Sequence, residues 1–325
     1  MAEQTGPDAR PFRFGLQASE WPAAGGGSVR AQLQELARRA ESVGFDVLTV
    51  ADHVMPILPP MALVQICAEI TTSLRFGSFV LNNDFRHPVL VASEAAAASL
   101  LCDGRFELGI GAGHNKAEYD ALGISFAPAR VRVARLCESV AVLRQLLDGD
   151  TVSYVGDHYQ LDHVATGVPT APQRVAILVG GNGRSVLDCA GRLADTVGLT
   201  AITPTAAMGH VHQPRWSDEY LKTRIDIVEA AAAGRTVKPE RNALVQHAVR
   251  TGDRRAAAQA FCDEVRPLGI ELDVEDALTT PFLFVGTAQQ IADQIRETRE
   301  HWGITYFTTR TSSFDLMADV IAILR

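Results

Sequence analysis

Histidines, amides and glycines follow several strand-like segments of this sequence, and they are its best candidates for chemistry. Asp52 and His53 come directly after the apolar run 45–51. Histidine readily gives and takes protons near neutral pH, and a neighbouring carboxylate can orient its ring. The pair therefore predicts a proton-transfer site, with an aspartate that caps a loop beside a structural histidine as an equal alternative.

A glycine-rich turn follows the strand-like segment 175–179. Its residues are Gly180, Gly181, Asn182, Gly183, Arg184 and Ser185. A helical segment starts at once after it, so the free N–H groups of the helix start and the Arg184 guanidinium favour an anion such as a phosphate. The turn lacks the Gly-Lys-Ser/Thr of a P-loop. The alternative is a tight turn with Arg184 in solvent.

A second glycine-rich segment ends another strand-like run. It reads Gly109-Ile110-Gly111-Ala112-Gly113-His114-Asn115. It does not fit the dinucleotide fingerprint, which needs G-x-G-x-x-G at the opening of a helix. Its glycines either let a flat ring lie close to the backbone or serve close packing of the sheet, and the sequence leaves both open.

Strand-like and helical segments alternate along the whole chain. The eight strand-like runs are 12–17, 45–51, 74–81, 106–111, 175–179, 196–199, 242–249 and 304–308. Parallel neighbours need crossover connections, so this alternation predicts a parallel sheet, and several runs are apolar on both faces. An α/β fold of the (β/α)8 TIM-barrel type satisfies the count, and a doubly wound sheet is the alternative.

We predict one domain over residues 12–325, with a flexible N-terminus over 1–11. Three stretches exceed ordinary loops, near 150–174, 203–217 and 269–281, and long loops in compact domains are often lids or binding loops. The first contains a hairpin flanked by His158 and His163.

Composition narrows the classes of partner. The 325 residues carry a formal net charge of −8, which disfavours nucleic acid or an anionic membrane as the main partner. No apolar run is long enough to span a bilayer. Five scattered cysteines without CxxC spacing suggest reduced thiols in a cytoplasmic protein. His210 and His212 have no acidic or cysteine partner at zinc spacing, so we predict no metal site.

Together these motifs resemble the luciferase-like monooxygenase superfamily, and within it the deazaflavin (coenzyme F420)-dependent oxidoreductases. Four separate matches in the right order carry the resemblance. They are 44–53 (GFDVLTVADH), 82–88 (NNDFRHP), 103–113 (DGRFELGIGAG) and 180–195, which starts GGNGR and ends AGRLAD.

The resemblance implies a barrel of the bacterial-luciferase type that holds a flavin-like ring at its C-terminal mouth. It implies a bulge in the third strand with a non-proline cis peptide near Phe79–Val80, and a histidine, here His53, near the reactive carbon. It also implies the residues that hold the ring and its phosphate: Phe79, Val80, Asn82, Ala112, Gly113, His114, Asn115, Gly180, Gly181, Asn182, Gly183, Arg184 and Ser185. His114 is a departure, because relatives often carry tryptophan or glutamate there, and a histidine either takes over proton transfer or only stacks on the ring.

The activity implied is hydride transfer between F420 and a small organic substrate, with His53, oriented by Asp52, moving the accompanying proton. An FMN-dependent monooxygenase that receives reduced flavin from a partner reductase is the first alternative. A non-catalytic flavin-binding barrel is the second. The resemblance also implies a homodimer.

Overall fold

Eight parallel strands of the described chain close into a barrel. They are β1 (Arg13–Ala18), β2 (Val47–Val50), β3 (Arg75–Ser78, continued by Leu81–Asn82), β4 (Phe106–Gly111), β5 (Ala176–Gly180), β6 (Thr196–Leu199), β7 (Glu240–Leu244) and β8 (Ile304–Arg310). The strands pair in the order β3-β2-β1-β8-β7-β6-β5-β4, and β3 also pairs with β4, which closes the ring. The predicted TIM barrel is confirmed.

The structure is a computed structural model, and it describes residues 10–18, 28–54, 59–171, 173–200, 202–204, 212–214, 216–268 and 272–325. Its helices are α1 (Val29–Val43), α2 (Pro60–Ala68), α3 (Pro88–Leu101), α4 (Lys116–Leu122), α5 (Ala129–Leu147), α6 (Arg184–Leu193), α7 (Asp218–Ala231), α8 (Arg254–Val265), α9 (Val274–Thr279), α10 (Ala288–Trp302) and α11 (Phe314–Leu324). Within these ranges, none of the helices is long and apolar enough to cross a membrane.

The third strand is interrupted where the sequence suggested one continuous run over 74–81. The peptide between Phe79 and Val80 is cis, as the resemblance implied, and pairing resumes at Leu81. The two side chains at the interruption pack inside the barrel, where Phe79 clusters with Leu178 and with other apolar residues.

Glycines on β4 and β5 make room for this interruption. A Cβ on Gly111 would lie 2.8 Å from Val80 Cγ2, and a Cβ on Gly180 would lie 2.9 Å from Val80 Cγ1. Both separations are well below ordinary carbon–carbon contact. Of the two roles left open for the glycines of β4, close packing inside the barrel is the one that the structure shows at Gly111.

Apolar packing surrounds the barrel, and an ion cluster lies at one of its ends. The outward strand faces pack against the helices in one large apolar cluster. At the N-terminal end of the barrel, where the strands begin, Arg13 pairs with Glu107 at 2.5 Å and with Glu240 at 2.6 Å. Burial alone would lower the pKa of Arg13, but the two carboxylates outweigh it, and the net direction is upward. This end of the barrel is a structural ion cluster.

The structure corrects one predicted strand and two of the three predicted long stretches. The predicted seventh strand over 242–249 is wrong as one element, because the chain leaves the barrel after Leu244 and His247–Arg250 pairs instead with Leu283–Gly286. The expected hairpin is present as Val152–Val155 and Gln160–Val164, but His158 and His163 lie within it and do not flank it.

The other two long stretches are less irregular than expected. The stretch 269–281 contains α9, and 203–217 contains part of an antiparallel pair formed by Ile202–Pro204 and His212–Pro214. Residues 1–9, which belong to the predicted flexible N-terminus, lie outside the described residues.

Candidate functional site

His53 stands at the C-terminal rim of the barrel, just after β2, and its ring is fixed by a carboxylate. His53 Nδ1 lies 2.6 Å from Glu118 Oε1. The His53 side chain is 33% exposed and that of Glu118 only 13%. The acceptor therefore sits deeper than the ring that it holds, and the imidazole stays accessible at the rim.

Asp52 does not orient His53, and that expectation is wrong. Its carboxylate instead forms a bidentate ion pair with the Arg86 guanidinium, with N–O distances of 2.5 and 3.0 Å. It also accepts the backbone N–H of Asn82 at 2.9 Å. Both carboxylate oxygens of Asp52 are thus bonded to the end of β3 or to the segment that follows it. Asp52 therefore links β2 to β3 at the rim.

His114 lies beside His53, in the connection between β4 and α4. The two imidazole rings are 6.0 Å apart between centroids and nearly perpendicular, at 86°. His53 thus has both a carboxylate and a second imidazole beside it at the rim.

The residues on either side of His114 shape this connection. Gly113 has φ +74°, a conformation that favours glycine, and a Cβ there would collide with the Tyr119 hydroxyl and the Asn82 amide. Ala112 precedes it and is half-buried. Asn115 Oδ1 accepts the N–H of Ala117 at 3.2 Å, so Asn115 caps α4, a role that the resemblance did not imply.

Tyr119 anchors α4 to the end of β3. Its buried hydroxyl is 3.1 Å from Asn82 Oδ1 and 3.1 Å from Asp84 Oδ2. Burial raises the pKa of Tyr119, while the bond to Asn82 lowers it in part. Asn82 Oδ1 also accepts the N–H of Asp84, and its Nδ2 donates no hydrogen bond within the described chain. That amide is the group of Asn82 available to a ligand.

Phe79 and Val80, here called the floor of the site, pack against the ends of β4 and β5. Gly111 and Gly180 are register partners in β4 and β5, and Val80 packs against both. The two predicted halves of the site, after β4 and after β5, are therefore neighbours on one rim. Gln17 completes the floor, since its Nε2 donates to the Phe79 carbonyl oxygen at 2.6 Å.

The turn after β5 forms a cationic cradle at the start of α6. Gly181 and Asn182 lead into Gly183, the N-cap, and Arg184 and Ser185 form the exposed first turn. A Cβ on Gly183 would meet nothing within 4 Å, so space lies open in front of the helix start.

α7 adds two groups to this cradle that the sequence analysis missed. Asn182 Nδ2 donates to Tyr220 Oη at 2.9 Å, and Arg224 donates to the Asn182 carbonyl at 3.3 Å. The Arg224 guanidinium lies 4.6 Å from the centroid of the Tyr220 ring. Its Nε is buried and has no hydrogen-bond partner in the described structure. An unsatisfied cationic N–H beside a helix start fits an anion.

The structure places two of the remaining sequence candidates on a separate element. His158 and His163 lie on the hairpin, and His163 contacts Asp162 and Ser153 there. His210 lies outside the described residues. Within the ranges that the structure describes, no group of three or more potential metal ligands comes together.

Comparisons with known proteins agree with this architecture. A family model described as luciferase-like monooxygenase matches residues 12–306. The F420-dependent glucose-6-phosphate dehydrogenase of Amycolatopsis mediterranei (strain U-32) is 36% identical over 172 residues, which are 50% of this chain and 51% of that protein. The chain thus spans about half the length of the curated relatives that it matches.

Solved structures share the fold at lower identity. The coenzyme F420 dependent tetrahydromethanopterin reductase from Methanopyrus kandleri has a TM-score of 0.72 at 18% identity, covering 97% of this chain and 100% of that one. EDTA monooxygenase from Chelativorans sp. BNC1 has a TM-score of 0.75 at 15% identity, covering 97% and 93%. At these identities the likeness shows the fold alone.

Proposed function

Because the chain belongs to the luciferase-like monooxygenase family, we propose that it is an F420-dependent oxidoreductase that transfers a hydride between the deazaflavin and a small organic substrate. One observation carries the proposal: Gly111, three residues before His114, and Gly180, at the start of the glycine-rich turn, are register partners in β4 and β5, and Val80 packs against both. A redox ring with a phosphate tail needs both features on one rim, proton-transfer groups at the ring and cations at the tail.

The residues present fit such a cofactor. At the phosphate end, the helix start after Gly183, the exposed Arg184 and the unsatisfied Arg224 Nε supply cationic donors. Each charge-assisted hydrogen bond is worth about 1.5–3 kcal/mol, and the helix start adds about 0.3–1 kcal/mol. At the ring end, Asn82 Nδ2 offers a hydrogen-bond donor next to Gly113.

Bound F420 supplies or takes up the hydride, as a two-electron carrier. In the direction of substrate reduction, the acceptor gains that hydride on carbon and a proton on its heteroatom. His53 gives this proton, and in the reverse direction it takes it back, a contribution of about 10²–10⁴ in rate. His114, whose ring centroid lies 6.0 Å from that of His53, either exchanges protons with His53 or contacts the cofactor ring in this proposal.

The nature of the matched relatives supports F420 as the cofactor. The curated relatives matched at 31–36% identity are named F420-dependent. Their sugar phosphate substrate is not part of the proposal, because only about half of each relative is matched.

Replacing His53 by alanine tests the assignment of the proton donor. We expect His53→Ala to keep the cofactor affinity of the wild type and to lose most of its turnover, because the cradle is untouched while the proton-transfer group is gone. Cofactor affinity is read from quenching of F420 fluorescence, and turnover from the F420 absorbance with a panel of alcohols, imines and enones. A His53→Ala enzyme that is saturated with cofactor and turns over at the wild-type rate would refute the role.

Two assembly features belong to the same proposal. The family resemblance implies a homodimer, and a separate reductase is expected to regenerate the reduced cofactor. Sedimentation velocity tests the first, and dependence of multiple turnovers on an added F420 reductase tests the second.

A further inference from the structure

The carboxylate of Glu118 is placed to act on His53 rather than to stabilise α4. Glu118 stands in the first turn of this short helix, and its Oε1 is 2.6 Å from His53 Nδ1. The helix has its own ion pair elsewhere, between Lys116 and Asp120 at 2.5 Å on the exposed face. Glu118 is therefore the acid of α4 that points into the rim.

The position of Glu118 is fixed from both sides. Asn115 caps the start of α4, and Gly123, in the left-handed region, ends it. The next residue, Tyr119, is fully buried and is bonded to the end of β3. Its ring also packs 4.8 Å from the Phe126 ring, between centroids. A side chain next to such an anchor keeps its direction, so the carboxylate is preorganised before any ligand arrives.

Among the described residues, the acid next to His53 in sequence has other partners. Asp52 is paired with Arg86 through both oxygens. His114 presents its ring edge-on at 6.0 Å between centroids. Glu118 is thus the carboxylate that reaches a ring nitrogen of His53 in the described structure.

We propose that Glu118 is a positioning residue that holds His53 in the Nδ1-protonated tautomer and so makes Nε2 the nitrogen that exchanges protons with the substrate. A carboxylate can only accept, so the short Nδ1 contact requires the proton on Nδ1. When Nε2 takes a proton, the cationic ring remains beside an anion. The kinetic consequence rests on the proposed function, whereas the tautomer does not.

Histidine ¹⁵N NMR tests the tautomer on the protein without cofactor or substrate. Spectra are recorded at about pH 8.5, where an ordinary histidine with a pKa of about 6.5 is neutral, and the His53 signals are assigned by their loss in His53→Ala. We expect a protonated-type Nδ1 in the wild type, a change toward the other tautomer in Glu118→Ala, and a retained Nδ1 proton in Glu118→Gln, whose amide oxygen still accepts. The matched control is Asp120→Asn, on the same helix, which should leave the His53 signals unchanged. A His53 ring protonated on Nε2 in the wild type, or unchanged signals in Glu118→Ala, would overturn the proposal.

Steady-state kinetics provide the second readout. Glu118→Ala should lower kcat about 10–100-fold, by analogy with other partners that orient a functional histidine, with KM within about twofold, and Glu118→Gln should recover part of that loss. Equal losses in Asp120→Asn, or a loss in KM alone, would make Glu118 a structural residue. If the wild type does not turn over F420 at all, the proposed function fails while the NMR result still decides the tautomer.

Discussion

The fit of Val80 between two glycines gives the sharpest quantitative test of how the rim is built. Gly180→Ala places a Cβ at 2.9 Å from Val80 Cγ1 and 3.6 Å from Phe79 Cε2. The first separation is roughly 0.6–1.1 Å below the optimum of about 3.5–4.0 Å between carbons. Because the floor is packed from both sides, we expect an overpacking cost of about 1–3 kcal/mol. Val80→Ala alone should cost about 1–2 kcal/mol for its lost methyl groups.

The double variant distinguishes this clash from general damage. Without the Val80 methyl groups, the new Cβ at position 180 meets no close neighbour on that side, so Gly180→Ala/Val80→Ala should be at least about 1 kcal/mol more stable than the sum of the single effects predicts. Equilibrium urea unfolding measures all four proteins of the cycle. Gly252→Ala is the control, because a Cβ there meets nothing within 4 Å, and it should stay within about 0.5 kcal/mol. Effects that add to within about 0.5 kcal/mol would refute the packing argument.

Three further predictions test other parts of the structure. Arg224→Ala should weaken cofactor affinity about 10–100-fold while turnover at saturation is kept, because it removes an unsatisfied cationic donor; an unchanged dissociation constant in a fluorescence titration would contradict this. Glu138→Gln should speed amide hydrogen exchange at 157–159 about tenfold, because this carboxylate accepts all three N–H groups; exchange as slow as in the wild type would show that the hairpin is held otherwise. Burial alone would raise the pKa of Glu41, but the backbone N–H groups of 72–74 outweigh it and lower the pKa to about 2. The stability that Glu41 contributes is therefore complete above its ordinary pKa of 4.5 and is lost as the pH falls toward 2. The difference in unfolding free energy between wild type and Glu41→Gln should shrink on acidification. A constant difference in urea unfolding from about pH 6 to about pH 3 would contradict the assignment.

The barrel and the rim that carries the candidate site were predictable because both follow from local patterns. Alternation of apolar runs with amphipathic helices requires a parallel sheet, and the C-terminal ends of parallel strands meet at one rim. That rule alone brings the residues after β2, β4 and β5 together. The family resemblance predicted the interruption of β3 at the Phe79–Val80 peptide, whereas the residues themselves did not.

The partners of the site residues were not predictable, because they come from segments distant in sequence. Glu118 lies on a seven-residue helix that the sequence analysis did not identify, 65 positions from His53. Arg224 reaches the cradle from α7, 42 positions after Asn182. A signal for Glu118 did exist: it is an acid four positions after His114, in the connection after a barrel strand. Adjacency in sequence suggested Asp52 as the partner of His53 instead. Adjacent side chains of an extended chain point in different directions, so this adjacency does not bring the Asp52 carboxylate to the His53 ring.

Equilibrium binding of F420 and of FMN to the purified wild-type protein tests the central claim most directly. The cradle beside the Val80 floor should bind F420 with a dissociation constant in the micromolar range, and FMN at least about tenfold more weakly. Preference for FMN would move the assignment to a flavin-dependent monooxygenase. Failure to bind either cofactor at about 100 μM would contradict the account.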